Sequence, residues 1–596
     1  MIIVLSLLFM SISISAVSLE PVSAASTNIN STMTNSEIQT VLDNAASGDT
    51  INFLGTLYEN IQLTINKTLN IVTNVGTVLS GSDPSGSAVF LSNGPGASGP
   101  QISGFNITSS NSGIIVNNTN NVNISNCNIS AAKGSAVTVN KSSSTNIKNS
   151  GIKNSITGVN ISNSQNTSIT GSTIQNNKED GVNVENSINT TINNDNIINN
   201  KERGVKIYNS NNTVINGSNL KSNGDNSSSG ISSDEGAISV KNSSVKITHN
   251  KITDNSQGVT VVDSSNVAIT NNTINNNHWE GILLNGTLEN ISIKDNDMEQ
   301  NGNGVVFNYK KGNNIIFSGN IVTKSVNWQS GEDSGIGIKF GPDYTDTTKT
   351  EVIEHNAIFD NDMDMRAHDA NGNIQVGSNW YGNGPLLCWK IRYAAFIEMA
   401  LVRTGRNTYE TRFYDGTTGQ LATDFPSIPV TFTSGEYSIT IMTQNGKATI
   451  TIPYNKGSNK ITATAYGVST SIDRPSADLN PPPENNTKTP NNSKPKGTGN
   501  SNKGNGVGSG DTGTSGGATS GAPSTVGLAA AAAAAGDSGQ SGTDSEKTKT
   551  AQELFIKNTV KNPTVWGIIG VVVLLLIIFG AYYRKDLMNM IKKSKK

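Results

Sequence analysis

One short unit recurs through most of the first 380 residues, and it constrains the fold more than any other feature. Its first half reads aliphatic–x–x–(Asn/Ser)–x–aliphatic, as in Ile124 to Ile129, Ile169 to Ile174, Ile192 to Ile197, Ile247 to Ile252, Ile269 to Ile274 and Ile353 to Ile358. Its second half is a glycine followed by alternating aliphatics: Gly158-Val-Asn-Ile, Gly181-Val-Asn-Val, Gly204-Val-Lys-Ile, Gly258-Val-Thr-Val, Gly281-Ile-Leu-Leu and Gly304-Val-Val-Phe. Gly158, Gly181 and Gly204 are spaced 23 residues apart, as are Gly258, Gly281 and Gly304. A fixed period in the low twenties with period-2 strands inside it predicts a solenoid of β-coils. A single coil cannot bury the apolar face of its strands, whereas stacked coils enclose a continuous aliphatic core. A leucine-rich repeat has a similar period but needs regularly placed Leu, and this repeat is built on Ile and Val.

The corners support the same solenoid. The third place of the first unit is Asn126, Asn149, Gly171, Asn194, Gly217, His249, Asn271, Asp295, Gly319 and His355. These are residue types that tolerate the left-handed backbone of a sharp corner. The fourth place becomes Asn250, Asn272, Asn296, Asn320, Asn356 and Asn379. Asparagines stacked in such a column can hydrogen-bond along it and satisfy buried turn amides, so they are expected to form a structural ladder. Asn275, by contrast, is expected on an exposed corner.

Two steps of the repeat are long, with extra residues near Asn223–Glu235 and Asn327–Lys349. A solenoid absorbs such residues as loops leaving a corner, where binding surfaces tend to sit. The second insert carries Trp328, Glu332, Asp333, Asp343, Tyr344 and Asp346, the candidate contact site of the solenoid.

The chain ends define an address. Residues 2–17 are an apolar run closed by small residues, so 1–25 read as a secretory signal peptide, without the usual basic start. Residues 565–583 hold no charge, are flanked by Trp566, Tyr582 and Tyr583, and read as a transmembrane helix. The tail 584–596 carries Arg584, Lys585, Lys592, Lys593, Lys595 and Lys596 and is expected in the cytoplasm, which puts the N-terminal part outside the cell. Residues 474–564 include a Pro/Asn/Gly/Ser/Thr tract and read as a disordered stalk. There are two cysteines, Cys127 and Cys388, too far apart along the repeat for a disulfide, and Cys127 is expected to be a small core filler in the ladder column. A formal net charge of −2 gives no basic patch for nucleic acid. Asn-x-Ser/Thr sequons are frequent; Asn66, Asn123 and Asn290 are candidate glycan acceptors.

Two segments carry a family resemblance. Ala45–Gly81 resembles the entry coils of right-handed parallel β-helix proteins, and before it Thr34 and Glu37 form a capping box that opens a helix over Ile38–Ala45, expected to plug the end of the solenoid. At the other end GSNWYGNGP (Gly377–Pro385) resembles the Asn-Trp-Trp-Gly signature closing the β-helix in adhesin-like surface proteins of methanogenic archaea, with Tyr381 in place of the second Trp. The resemblance implies a following immunoglobulin-type sandwich and cell-surface attachment, and brings no set of functional residues. Short alternating strands from Ile397 to Ile472, with turns at Asp415-Gly416 and Asn445-Gly446, point to a sandwich independently.

The expected architecture is therefore all-β: a right-handed parallel β-helix solenoid (26–385), an Ig-like β-sandwich (386–473), a disordered stalk and a C-terminal transmembrane helix. The expected function is an adhesin-like cell-surface protein, not an enzyme, attaching to extracellular glycans or to surface proteins of other cells. No cofactor or metal is expected: His249 and His355 share the corner column and read as corner residues. Alternative functions are a polysaccharide-processing β-helix enzyme and a structural wall or S-layer component. The densest ionisable group is Asp360, Asp362, Asp364, Arg366 and His368, expected to line one outer strand face while Met363, Met365 and Ala367 point inward. An enzyme would most plainly depend on that group.

Overall fold

The computed structural model describes residues 24–480 apart from breaks at 74–75, 82–88, 95–98, 110, 132, 226–233, 328–333, 346–350, 368–369, 371–373, 385–387 and 389. The expected signal peptide up to Ser23, the expected stalk beyond Asn480, the 565–583 segment and the basic tail lie outside the described residues. Among the described residues no helix is long and apolar enough to cross a membrane.

The repeat forms a parallel β-helix. Thirteen strands, from Leu57–Glu59 to Ala357–Phe359, stack in parallel as one face. The other strands of each coil build two further faces joined in one sheet. Strand alternation aims the aliphatics inward: Val159 and Ile161 are buried, and they pair in register with Val182 and Val184 of the next coil. The two further faces fuse where Glu280–Lys294 and Asn303–Ser318 run through the corner as single long strands, with a register shift between Gly286 and Thr287.

One rule makes the corners. Three residues beyond an inward aliphatic stands a ladder residue, and just before it a residue in the left-handed region. In the expected column every residue from Asn126 to His355 holds φ between 49° and 69°. A second corner does the same with Asn176, Asn199, Ser222, Asp254, Asn276, Gln300, Lys324 and Asp360, and a third with Asn118, Lys141, Asn163, Asn186, Asn209, Asn242 and Asp263. Such conformations cost free energy in non-glycine residues. The ladders that follow offset it by satisfying the turn amides.

In the first ladder the Asn250 N–H and Nδ2 donate to Asn272 Oδ1 at 2.9 and 3.0 Å, and the pattern repeats to Asn296, Asn320, Asn356 and Asn379. Towards the N-terminus the same column runs through Ser218, Asp195, Ser172 and Ser150 to Cys127, whose N–H donates to Ser150 Oγ. Cys127 is fully buried, and burial pushes its thiol up to about 11. A second ladder, not singled out in the sequence, joins Asn177, Asn200, Asn223, Asn255, Asn277 and Asn301. A third is made of hydroxyls: Thr119, Ser142, Ser164, Ser187, Ser210, Ser243 and Ser264. Asn275 is not at a corner; it ends the strand Thr273–Asn275, and its Oδ1 accepts the Glu299 N–H at 2.9 Å.

The N-terminal end is closed by the helix Asn35–Asn44. Thr34 Oγ1 accepts the Glu37 N–H and the Glu37 carboxylate accepts the Thr34 N–H, so both halves of the capping box are made. Ile38 and Leu42 are buried in the solenoid core. A strand, Ser26–Ile29, comes before the helix and pairs in parallel with Thr50–Phe53.

At the other end the strand Ile391–Tyr393 stacks in parallel on Ile374–Val376, so the solenoid continues past the expected boundary at 385. The motif around Trp380 then divides by strand alternation. Asn379 closes the ladder, Tyr381 is buried in the solenoid core, and Trp380 points the other way into the core of the next module. That module has a three-stranded antiparallel sheet (Ile397–Gly405, Thr408–Asp415, Lys447–Thr451) and a four-stranded one (Tyr437–Met442, Pro429–Ser434, Lys460–Ala465, Val468–Asp473). Leu401, Tyr409, Phe413 and Ile450 of one sheet and Val430, Phe432, Ile461 and Ala463 of the other belong to one buried cluster, the interior of a sandwich. The module outlasts its expected end at 473. The buried carboxylate of Asp478 takes two 2.7 Å bonds from the Arg403 guanidinium and a 2.6 Å bond from Tyr409 Oη.

Candidate functional site

The second insert is not one loop. The strand Ile336–Phe340 joins the solenoid sheet in register with Asn303–Phe307, so a rung of the solenoid divides the insert. Trp328, Glu332, Asp333 and Asp346 lie outside the described residues. Asp343 is on the surface, 3.9 Å from Lys310 Nζ. Tyr344 does not belong to a contact surface. It is 1% exposed, packed against Phe340 and Tyr309, and its hydroxyl donates to Glu351 Oε2 at 2.5 Å. A phenol ring beside an aliphatic core is drawn inward once its hydroxyl has an acceptor.

The charged run after Phe359 is also dispersed. Asp360 occupies a left-handed corner with φ 55°. Met365 and Ala367 are buried in the solenoid core as expected, but at the start of the strand Met363–Arg366 Met363 is exposed while Asp364 is buried, the reverse of the expectation for that pair. Asp364 follows the glycine column, after Gly304 and Gly337, and its Oδ1 accepts from Asn361 Nδ2 at 3.1 Å. His368 lies outside the described residues. Of the candidate glycan acceptors, Asn66 and Asn290 are exposed, and Asn290 Nδ2 donates to Asn266 at 3.2 Å. Asn123 is half-buried inside the strand Asn123–Ser125, with its Nδ2 bonded to Gln101.

The residues that break the repeat gather instead on the edge between the second ladder and the glycine column. Arg203 there holds Asp180 and Glu202 at 2.7 Å and Asp234 at 3.0 Å. Three coils beyond Arg203 the edge carries His278 and Trp279, whose rings meet edge to face at 5.0 Å. Glu280 follows, in register with Asn303. Burial raises its carboxyl, opposed by its own backbone amide, by Lys339 and by Asn303. Its Oε2 is shielded from solvent and has no hydrogen-bond partner. The sequence signal for this edge was available, as the residues just before each glycine: Asp180, Arg203, Gln257, Glu280 and Asn303. Of the other two laddered corners, the one from Asn118 to Asp263 carries mainly Asn and Ser, and the one from Asn126 to His355 carries Asn, Gly, Asp and His.

A second polar region lies at the junction of the two modules. His355 Nε2 is 2.7 Å from Asp415 Oδ2, and its Nδ1 bonds to Asp424. The Asp424 bond chiefly, with Asp415, raises the imidazole to about 9 against the effect of burial. Burial would raise the Asp415 carboxyl, but His355, Thr418, Ser378 and Thr417 together hold it down to about 2. Among the described residues no group of three or more His, Cys, Asp or Glu is placed to hold a metal ion.

Residues 87–233 and 225–356 match the family described as a right-handed beta helix region. Together with the stacked parallel strands, this makes the chain a right-handed parallel β-helix protein of about thirteen turns. Solved structures similar to it include the mannuronan C-5 epimerase AlgE6 A-module of Azotobacter vinelandii, at 18% identity and TM-score 0.36 over 57% of this chain and 93% of that one. PfbA, a surface adhesin of Streptococcus pneumoniae, is similar at 12% identity and TM-score 0.32 over 76% of this chain and 99% of that one. A tailspike protein of E. coli bacteriophage HK620, in complex with a pentasaccharide, is similar at 11% identity and TM-score 0.31 over 75% and 92%. No curated protein matches the chain.

Proposed function

We propose that this protein is a cell-surface adhesin-like protein, of the kind known from methanogenic archaea, that displays its β-helix and an immunoglobulin-like sandwich for attachment to glycans or to surface proteins of other cells. The observation carrying this reading is the edge from Asp180 through Arg203 to Trp279. Its ionisable side chains stand on the coils of Asp180, Arg203 and Asp234, and ionisable and aromatic ones again on the coil of His278 and Trp279, while the ladders repeat small amides and hydroxyls. A rigid solenoid holds such groups at roughly 4.8 Å intervals, a spacing suited to an extended partner. The surface address rests on the apolar runs 2–17 and 565–583 and the basic tail after them. The test is binding of the purified full-length protein to a panel of glycans and whole cells. Attachment to one glycan class or cell type is the expected result, and absence of binding across the panel defeats the reading.

A second reading, a polysaccharide-processing enzyme, is favoured by Glu280. A shielded carboxyl with a raised pKa and an unpaired oxygen is suited to donating a proton to a glycosidic oxygen. Release of reducing or unsaturated sugar by the parent that disappears in Glu280→Gln would establish it.

A further inference from the structure

A cleft of about 580 Å³ opens where the solenoid meets the sandwich. Its floor is the outer side of the last rungs, from Glu351–Glu354, Gln375–Gly377, Arg392 and Ala394, and its wall is the turn at Asp415, Thr417 and Thr418. None of these residues was singled out as a binding group in the sequence. The volume falls within the range of small-molecule sites, roughly 300–1,000 Å³.

The cleft is shaped by bonds that cross the junction. Asp415 Oδ1 accepts the Thr417 N–H at 2.6 Å, the Thr418 N–H at 2.9 Å and Ser378 Oγ at 3.0 Å, while Oδ2 meets His355. The turn is thereby fixed to the solenoid, and Thr417 and Thr418 stay exposed beside it. Glu351 is held from below by the Tyr309 and Tyr344 hydroxyls. Gly377 keeps the floor low: a Cβ there would come within 2.6 Å of Glu354 Cβ.

The chemistry of the walls selects the ligand. Hydroxyl, amide, guanidinium and carboxylate groups are interleaved, so donors and acceptors alternate over the surface. Large apolar side chains are few. The carboxylates Glu351 and Glu354 on the floor disfavour a polyanion, and Arg392 disfavours a polycation. We propose that this junction cleft binds the end of a neutral glycan, one or two hexose units, whose hydroxyls bond to Glu354, Gln375, Arg392 and Thr418. The proposal rests on the glycan-attachment reading and assigns the ligand class and the place.

The test uses the full-length protein against neutral hexose oligosaccharides and uronate-containing ones. Three variants are compared with the parent: Arg392→Gln, Thr418→Trp and Glu354→Gln. Arg392 and Thr418 are exposed, so their replacement leaves both cores intact, and unchanged thermal melting verifies it. The expected result is that neutral oligosaccharides bind the parent and lose at least tenfold in affinity in Arg392→Gln and in Thr418→Trp, which fills the cleft. Neutral-glycan binding that is unaltered in all three variants overturns the cleft assignment while the attachment reading stands. Preference for the uronate chains overturns the ligand class. Absence of any glycan binding by the parent overturns the proposal together with glycan attachment.

Discussion

His355 Nε2, on a solenoid corner, lies 2.7 Å from Asp415 Oδ2 in the sandwich, and 60 residues of chain separate them. Asp424 takes the other ring nitrogen, so one imidazole ties two sandwich carboxylates to the β-helix. Glu354 adds negative charge beside the imidazole, and Lys294 adds positive charge near Asp424. The His355 pKa is raised from 6.5 to about 9, so its contribution to stability is complete below about pH 6.5 and is lost as the pH rises through about 9. Asp415 is depressed from 3.8 to about 2, so its contribution is present above 3.8 and is lost as the pH falls through about 2. A pH series of thermal unfolding should show this window. His355→Asn, which keeps a residue tolerant of the left-handed corner, should lower stability by roughly 1–3 kcal/mol near pH 6 and much less at pH 10. An equal loss at both pH values would separate the pair from the stability of the junction.

Asp195 stands in the first ladder, where the other coils use Ser, Asn and, once, Cys127, and it is 1% exposed. Burial lifts its carboxyl from 3.8 to about 7, against the pull of the Ser172 and Asn193 amides. The folded chain therefore keeps this proton after the unfolded chain has lost it, and stability falls as the pH rises from about 4 to about 7. Asp195→Asn should raise stability by roughly 1–3 kcal/mol at pH 8 and little at pH 4. Chemical denaturation at the two pH values checks this; an unaltered pH profile in the variant would contradict it.

Asn272 bridges two neighbouring coils. Its Oδ1 accepts from Asn250, and its Nδ2 donates to Ile247 O and Thr270 O. Asn272→Leu leaves those buried groups unpaired and should destabilise the solenoid by roughly 2–5 kcal/mol. Asn277→Leu, in the second ladder, should cost a similar amount, because Asn277 makes the matching bonds to Asn255, Ile252 and Asn301. Denaturant titration of both variants distinguishes two working ladders from one.

Gly258 shows why the second half of the repeat begins with glycine. A Cβ at this position would lie 2.2 Å from Gly281 O and 2.9 Å from Ile274 Cγ2. The reason is close stacking of coils, not a left-handed backbone. Gly258→Ala should force a local shift costing roughly 1–3 kcal/mol, read as a lowered melting temperature. A variant as stable as the parent would mean that the coils can part without penalty.

The sequence by itself determined the coil. Inward aliphatics, the residue two places on that accepts positive φ and the ladder residue after it are local, and each obeys the period of the chain. The same offset encodes the second ladder (Ile174 to Asn177, Ile252 to Asn255) as plainly as the first, so that ladder was legible though not singled out. The capping box at Thr34 and Glu37 was equally local, since four consecutive residues contain it. What depends on stacking and docking was not legible. Whether Tyr344 faces solvent or the core is decided by Glu351, seven residues further along the chain, which supplies the acceptor its hydroxyl needs. Asp364 turns inward because it inherits the glycine column at the last rungs. The pairing of His355 with Asp415 and Asp424, and the cleft beside it, exist only because two modules with unrelated periods are fixed against one another. A repeat specifies contacts one period away, whereas a junction brings together residues 60 and 69 positions apart, and no periodicity in the chain records that distance.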